Sequence, residues 1–200
     1  MVHASTYSER VTEGPGPNLP GSSLHYGNPW ADPSSERDPV RQARARLPAP
    51  VTVWTAGDGA GDGAWAGLTV SSVMVAQGEP GRLIGLIGPD TDLAEIVERK
   101  GVFVVHLLVD SPEHRRLAQH FAGTLSADPD LLRLEPSPHG PRLVAAHDQL
   151  ACRVIRTSPC GWSQLIEADI EHVWLGARGG PASTPGLVWY RGEFRGCGRP

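Results

Sequence analysis

Most of the chain after Pro48 consists of short segments with strand character, separated by turns. In most of them apolar and polar residues alternate, which places successive side chains on opposite faces of a strand. The segments are VTVWTA, WAGLTVSSVMVA, RLIGLI, VFVVHLLV, LACRVIRT, LIEADIEHVWLG and GLVWYRGEF. Many strands with few helices between them predict a mainly β fold, a closed or nearly closed antiparallel β-barrel rather than a doubly wound sheet.

Two segments between these strands have helical periodicity instead. In DLAEIVERK the apolar residues share one face, Asp92 and Glu95 resemble a capping box, and Gly101 can end the helix in the left-handed conformation. In SPEHRRLAQHF, Ser111 is a suitable N-cap and Pro112 occupies the first helical position. The sequence therefore predicts two short helices within the barrel.

The chain divides into two parts by composition. Residues 1–46 are rich in proline, glycine and serine and show little apolar periodicity, which predicts a flexible extension. An arm that packs on a partner subunit is the alternative, with Leu24, Tyr26 and Trp30 as its apolar anchors. Residues 47–200 are expected to form a single domain.

Composition also bears on partners and compartment. The net charge of −4 comes from interspersed acidic and basic residues, so no cationic face for nucleic acid is expected. The three cysteines show no CxxC spacing, which argues against a disulfide framework or a zinc knuckle and favours a reducing cytoplasm. The N-terminus has no leader pattern and no apolar run is long enough to span a bilayer, so we expect a soluble, cytoplasmic protein without membrane contact.

Several common kinds of reactive site are not predicted. His114 and His120 are six residues apart on a predicted helix and point to different faces, so no metal site is expected. The GxSxG elbow of serine hydrolases is absent, as are GxGxxG and Walker loops, and the glycines of GDGAGDG are interpreted as a flexible turn. His106 is expected to be a hydrogen-bonded core residue and Cys152 a buried small apolar one.

The paired serines of GLTVSSVM are unusual in an otherwise apolar strand. One interpretation is an edge strand whose hydroxyls contact water. The other is a strand whose N–H groups and hydroxyls line a cleft for a flat heteroaromatic ligand, which needs a few donors on an apolar floor.

The order of several segments resembles that of a known family. GLTVSSVMVAQGEPGRLIGLI is followed by DLAEIVERKGVFVVHLL, HRRLAQHFAG, GWSQLIEADIEHVWLG and GLVWYRGEF. This series, from residue 48 to residue 195, resembles the flavin reductase-like proteins of the FMN-binding split-barrel class. The resemblance implies a split-barrel fold and a bound flavin.

The resemblance also implies roles for particular residues. Those expected at the isoalloxazine ring are Thr69, Val70, Ser71 and Ser72. Those expected at the flavin phosphate are Thr91, Asp92 and the cations Arg115 and Arg116. Those expected on the substrate side are Ser163, Trp189 and Tyr190. The chain departs from the family where Asp90 and Asp92 flank Thr91, and where Gly161, Trp162 and Ser163 replace a Gly-Asp-His element.

The resemblance implies an oxidoreductase that transfers a hydride from NAD(P)H to flavin, either FMN or FAD. It further implies a homodimer with flavin at the subunit boundary, and a flavin-dependent monooxygenase as a partner. Two alternatives stay open: a flavin-binding protein without reductase turnover, and a protein that binds another flat cofactor such as haem or a deazaflavin.

Overall fold

The computed structural model describes residues 39–58, 65–126, 129–176 and 184–198. The helices are α1 (Pro39–Ala45), α2 (Asp92–Lys100) and α3 (Pro112–Phe121). The strands are β1 (Ala49–Pro50), β2 (Thr52–Gly57), β3 (Trp65–Val70), β4 (Val73–Ala76), β5 (Gly81–Ile87), β6 (Val102–Leu107), β7 (Leu134–Glu135), β8 (Arg142–Leu143), β9 (Asp148–Cys160), β10 (Ser163–Trp174), β11 (Leu187–Tyr190) and β12 (Glu193–Gly196). The predicted mainly β fold is confirmed.

One large antiparallel sheet forms most of the domain, in the strand order β3-β2-β6-β9-β10-β5-β4. Its two edge strands, β3 and β4, are consecutive in the chain and separated by two residues, Ser71 and Ser72. Three Cα–Cα steps span at most about 11 Å, so the two edges must approach each other at this point. The sheet is therefore curled on itself, and the two serines link its edges.

The sequence predicted a single strand over WAGLTVSSVMVA, and this prediction is wrong. The structure divides it into β3 and β4, which pair with β2 and β5 on opposite edges of the sheet. The two adjacent serines interrupt the strand pattern at this point, but the pattern does not show that the following residues pair elsewhere. The change of pairing partner is a long-range property of the sheet.

Two helices cover opposite faces of the curled sheet. Trp54 and Ala56 of β2 pack in one cluster with the four buried residues of α2, whereas Val53 of β2 packs in a second cluster with α3. Both helices were predicted, and Gly101 ends α2 with a φ of 69° as expected. The predicted capping box of α2 is wrong: its N-cap is Thr91, whose hydroxyl accepts from the N–H of Ala94.

Helix α1 was not predicted and lies in the segment interpreted as an extension. It ends at the buried Ala45, whose carbonyl accepts a hydrogen bond from the N–H of Arg191 at 2.9 Å. Strand β1 then pairs with β11, which pairs with β12 to form a small second sheet. The remainder of the predicted extension, residues 1–38, lies outside the described residues, as does most of the loop GDGAGDG. In the part of the chain that the structure describes, no helix has the length and apolarity needed to cross a membrane.

Candidate functional site

Ser71 and Ser72, which we call the serine junction, have main-chain N–H donors without a backbone partner in the described ranges. The carbonyl of Val70 accepts from the hydroxyl of Thr52 at 2.7 Å, and the carbonyl of Ser72 accepts from the N–H of Leu86 at 3.0 Å. Among the described residues, no backbone carbonyl accepts a hydrogen bond from the N–H of Ser71 or Ser72. Both serines are half-buried, and a main-chain N–H group is an obligatory donor that bonds to protein, water or ligand. The serine junction is therefore suited to bind the acceptor atoms of a ligand.

The interior of the curled sheet supports the junction through Trp54. This side chain is fully buried, stacks on Phe103 with ring centroids 4.7 Å apart, and donates from Nε1 to the hydroxyl of Thr52 at 3.0 Å. Since Thr52 in turn donates to the carbonyl of Val70, a short hydrogen-bond chain leads from the core to the junction. On its other side the indole lies against Gly85. The junction is thus built on a rigid floor.

A cation reaches the junction from outside the large sheet. Nη2 of Arg44, near the end of α1, donates to Oγ of Ser72 at 2.8 Å. The backbone at this point is held by the hydrogen bond between Ala45 and Arg191 and by the pairing of β1 with β11. The sequence analysis missed Arg44 because it fell in a segment judged by its composition, although the periodicity of PVRQARA could have indicated a helix there.

The predicted phosphate-binding residues lie at the start of α2. The hydroxyl of Thr91 is already engaged, since it accepts from Ala94 N–H at 3.2 Å and donates to the carbonyl of Gly88 at 2.8 Å. The cleft beside it has a volume of about 350 Å³. It is lined by Pro89, Asp90, Thr91, Asp92, Ala94, Glu95, Glu98 and Gln164. Four carboxylates oppose the binding of an anion, so these residues fit a phosphate poorly even though a helix N-terminus alone would favour one.

The two predicted cations lie on α3 and not in that cleft. Arg115 forms a salt bridge with Asp110 at 2.6 Å and donates to the carbonyl of Phe194 at 2.6 Å. Arg116 lines a separate small cavity beneath α3 that shares no lining residue with the cleft at Thr91. The structure therefore places the guanidinium groups of α3 and the start of α2 at different sites.

The predicted ring-contacting residues before the junction are committed to the fold. Thr69 donates from its hydroxyl to the carbonyl of Ala118 in α3 at 2.8 Å, and the side chain of Val70 lies in the interior cluster. Of the four residues, Ser71 and Ser72 lie outside the strands, and no described backbone carbonyl accepts from their N–H groups. A ring contact by Thr69 or Val70 stays a prediction.

The three predicted substrate-side residues lie on two elements. Ser163 begins β10 beside the acidic cleft that its neighbour Gln164 lines, and Trp162 before it is 93% exposed. Trp189 and Tyr190 lie on β11, where Trp189 packs edge-on against Phe194 at 4.8 Å. Strand β11 also anchors the segment that carries Arg44. The second sheet therefore connects two of these residues to the serine junction.

Metal ligands are not gathered at this site. In the described ranges, no group of three or more His, Cys, Asp or Glu side chains is arranged to hold a metal ion. His106 is buried, as predicted, with its Nε2 2.9 Å from the hydroxyl of Thr55. Cys152 is buried as well, and burial raises the pKa of its thiol to about 12.

The described residues form a curled antiparallel sheet, and at the meeting of its edges the N–H groups of Ser71 and Ser72 have no backbone partner among them. Flavin carries carbonyl oxygens and ring nitrogens that accept hydrogen bonds, so such donors are compatible with a flavin. Residues 44–198 match the flavin reductase like domain, and the chain belongs to that family. The sequence-based identification is confirmed.

Individual relatives agree with this family. The FMN reductase (NADH) RutF of Ancylobacter novellus is 29% identical over 165 residues, which cover 81% of this chain and 86% of the relative. An NADH-dependent flavin reductase of Rhodococcus sp. is 26% identical over 156 residues, covering 78% and 84%. The styrene monooxygenase flavin reductase (SMOB) of Pseudomonas putida S12 superposes with a TM-score of 0.64 at 20% identity, covering 80% of this chain and 98% of that structure.

Proposed function

We propose that the protein is an NADH-dependent flavin reductase that binds FMN, with FAD as the alternative flavin. Membership of the flavin reductase like family supports this function, as do the names of the two relatives. The observation that carries it in this chain is the pair of N–H donors at the serine junction. When bound, the flavin accepts a hydride at N5 from C4 of the nicotinamide, so that NADH becomes NAD⁺.

The residues of this chain act by binding and orientation rather than as acids, bases or nucleophiles. The N–H groups of Ser71 and Ser72 would hold the acceptor edge of the ring, and the rigid floor of Trp54 would keep those donors in place. Ser163, Trp189 and Tyr190 remain the proposed contacts for the nicotinamide side. Donors fixed in advance are effective because no reorganisation is needed when charge develops on the ligand.

The test of this function is NADH oxidation in the presence and absence of added FMN. We expect NADH consumption to depend on FMN, and anaerobic addition of NADH to bleach the visible absorbance of the protein–FMN mixture. NADPH in a parallel reaction establishes the nucleotide preference. FMN binding without bleaching would identify a flavin-binding protein that has no reductase turnover, and binding of neither FMN nor FAD would indicate another flat cofactor.

We further propose a homodimer with a flavin at each subunit boundary. Met74 and Val75 of β4 are 68% and 58% exposed beside the serine junction, and apolar surface of this kind commonly marks an interface. Sedimentation of the FMN-loaded protein as a dimer is the expected result. A flavin-loaded monomer at micromolar protein concentration would contradict it.

A flavin-dependent monooxygenase in the cytoplasm is the proposed consumer of the reduced flavin. The support is that one structural neighbour is the flavin reductase of styrene monooxygenase. Released reduced flavin reacts readily with oxygen, so a reductase of this kind requires an acceptor enzyme nearby.

A further inference from the structure

The guanidinium of Arg44 contacts the serine junction. Its Nη2 lies 2.8 Å from Oγ of Ser72, whereas Arg115 is bound to Asp110 and Arg116 lines a separate small cavity at α3. We propose that Arg44 stabilises the reduced flavin at the junction in preference to the oxidised flavin. This inference rests on the proposed function and adds a specific electrostatic role for one residue of this chain.

The hydrogen bond between Arg44 and Ser72 has only one possible direction. A guanidinium has donors and no acceptor, so the oxygen of Ser72 must accept and its own O–H remains free to donate. A hydroxyl that accepts from a charged donor is a stronger donor itself, because hydrogen bonds in a chain polarise one another. Arg44 therefore orients the Ser72 hydroxyl and increases its strength as a donor toward a ligand.

The charge of the flavin ring differs between its two redox states. Oxidised flavin has a neutral ring, whereas reduced flavin is anionic at N1 near neutral pH. A fixed cation beside the ring favours the anionic form, and covering the site with a ligand weakens the screening by water. The interaction with Arg44 is therefore expected to differ between the two redox states, which a purely steric role would not produce.

The position of Arg44 is set by the second sheet rather than by α1 alone. The carbonyl of Ala45 is bound by the N–H of Arg191, and Ala49 and Pro50 pair with Trp189 and Val188. This anchoring holds the backbone of the arginine close to the junction even though the side chain itself is exposed. Strand β11, which pairs with β1, also contains Trp189 and Tyr190, two of the proposed nicotinamide-side residues. The small second sheet therefore holds both Arg44 and that side of the site.

The test compares the affinities of Arg44→Ala, Arg44→Lys and Arg46→Ala for oxidised and reduced flavin. Arg46 is an exposed neighbour, so its replacement changes the net charge equally. Oxidised flavin is titrated directly, and the affinity for reduced flavin follows from the midpoint potential of the bound flavin. We expect Arg44→Ala to weaken reduced flavin about tenfold more than oxidised flavin, which lowers the potential by about 30 mV for a two-electron couple. Arg44→Lys should retain most of the wild-type preference for reduced over oxidised flavin. Arg46→Ala should have the wild-type preference.

Riboflavin, which has no phosphate, separates a ring contact from a phosphate contact. If Arg44 acts on the ring, Arg44→Ala should weaken reduced riboflavin about tenfold more than oxidised riboflavin, as it does for FMN. Equal losses for the two redox states, or a loss confined to FMN, would overturn the inference. If the wild type binds no flavin, the proposed function is wrong. If the wild type binds flavin and Arg44→Ala has the same ratio of affinities for reduced and oxidised flavin, only the inference about Arg44 is wrong.

Discussion

Replacing Gly85 with alanine is expected to lower the free energy of unfolding by about 3 kcal/mol, at the upper end of overpacking effects. A Cβ at this position would lie 2.5 Å from Cη2 and 2.7 Å from Cζ2 of Trp54, and 3.2 Å from the carbonyl oxygen of Ser72. The indole cannot retract, because it is fully buried and stacked on Phe103. Strand β5 must therefore move away from the junction, and urea unfolding measures the cost.

Two further variants make this prediction specific. Gly81→Ala lies on the same strand, and its Cβ would meet neighbours at 3.5 Å and beyond, so we expect a loss below about 1 kcal/mol. Trp54→Phe removes the two ring atoms that approach Gly85. The double variant Trp54→Phe/Gly85→Ala should then be less destabilised than the sum of the single changes by more than about 1 kcal/mol. Additive losses would show that the indole is not the obstacle.

The stability of the fold is expected to fall between neutral and mildly acidic pH because of His106. Burial, together with electrostatic interactions with Arg142 and His114, lowers the pKa of His106 from 6.5 to about 3. Between these values the unfolded chain binds a proton that the folded chain does not, so stability decreases as the pH falls through this window. The slope approaches about 1.4 kcal/mol per pH unit only below the unfolded pKa of 6.5, so the loss between pH 7 and pH 5 is about 2 kcal/mol.

His106→Gln isolates this contribution. The glutamine Nε2 can replace the imidazole Nε2 as donor to Thr55, whose hydroxyl donates to the carbonyl of Pro141. This variant is expected to lose some stability at pH 7 and to lack the additional loss of about 2 kcal/mol at pH 5. Denaturant unfolding at the two pH values provides the measurement. The same pH dependence in both proteins would mean that His106 titrates normally in the folded state.

The elements of this fold could be predicted more completely than the way in which they join. Periodicity and capping residues predicted α2, α3 and most strands, because these are local properties of the chain. The break at Ser71 and Ser72 depends on β4 pairing with β5 rather than with a neighbour of β3, which no local pattern encodes. The two serines were singled out correctly, but the sequence could not show that they link the edges of the sheet.

The charged residues of the site were harder to place than the apolar ones. Arg115 and Arg116 were the cations nearest to the family pattern, yet Arg115 is bound to Asp110 within the fold. Arg44 reaches the junction because the small second sheet positions the end of α1, a long-range arrangement of residues at opposite ends of the domain. Asp90 and Asp92, noted as departures from the family, lie in an acidic cleft that opposes a phosphate.

The central claim is that the serine junction holds the flavin through its N–H groups, and FMN titration of junction variants tests it most directly. Proline at position 72 removes an N–H that binds no backbone carbonyl in the described part of the chain, so the fold loses no main-chain hydrogen bond there. We expect Ser72→Pro to abolish FMN binding with circular dichroism unchanged. Ser72→Ala should weaken FMN several-fold, about 0.5–1.5 kcal/mol, and Ser71→Ala should have almost no effect. Wild-type affinity for FMN in all three folded variants would contradict the account.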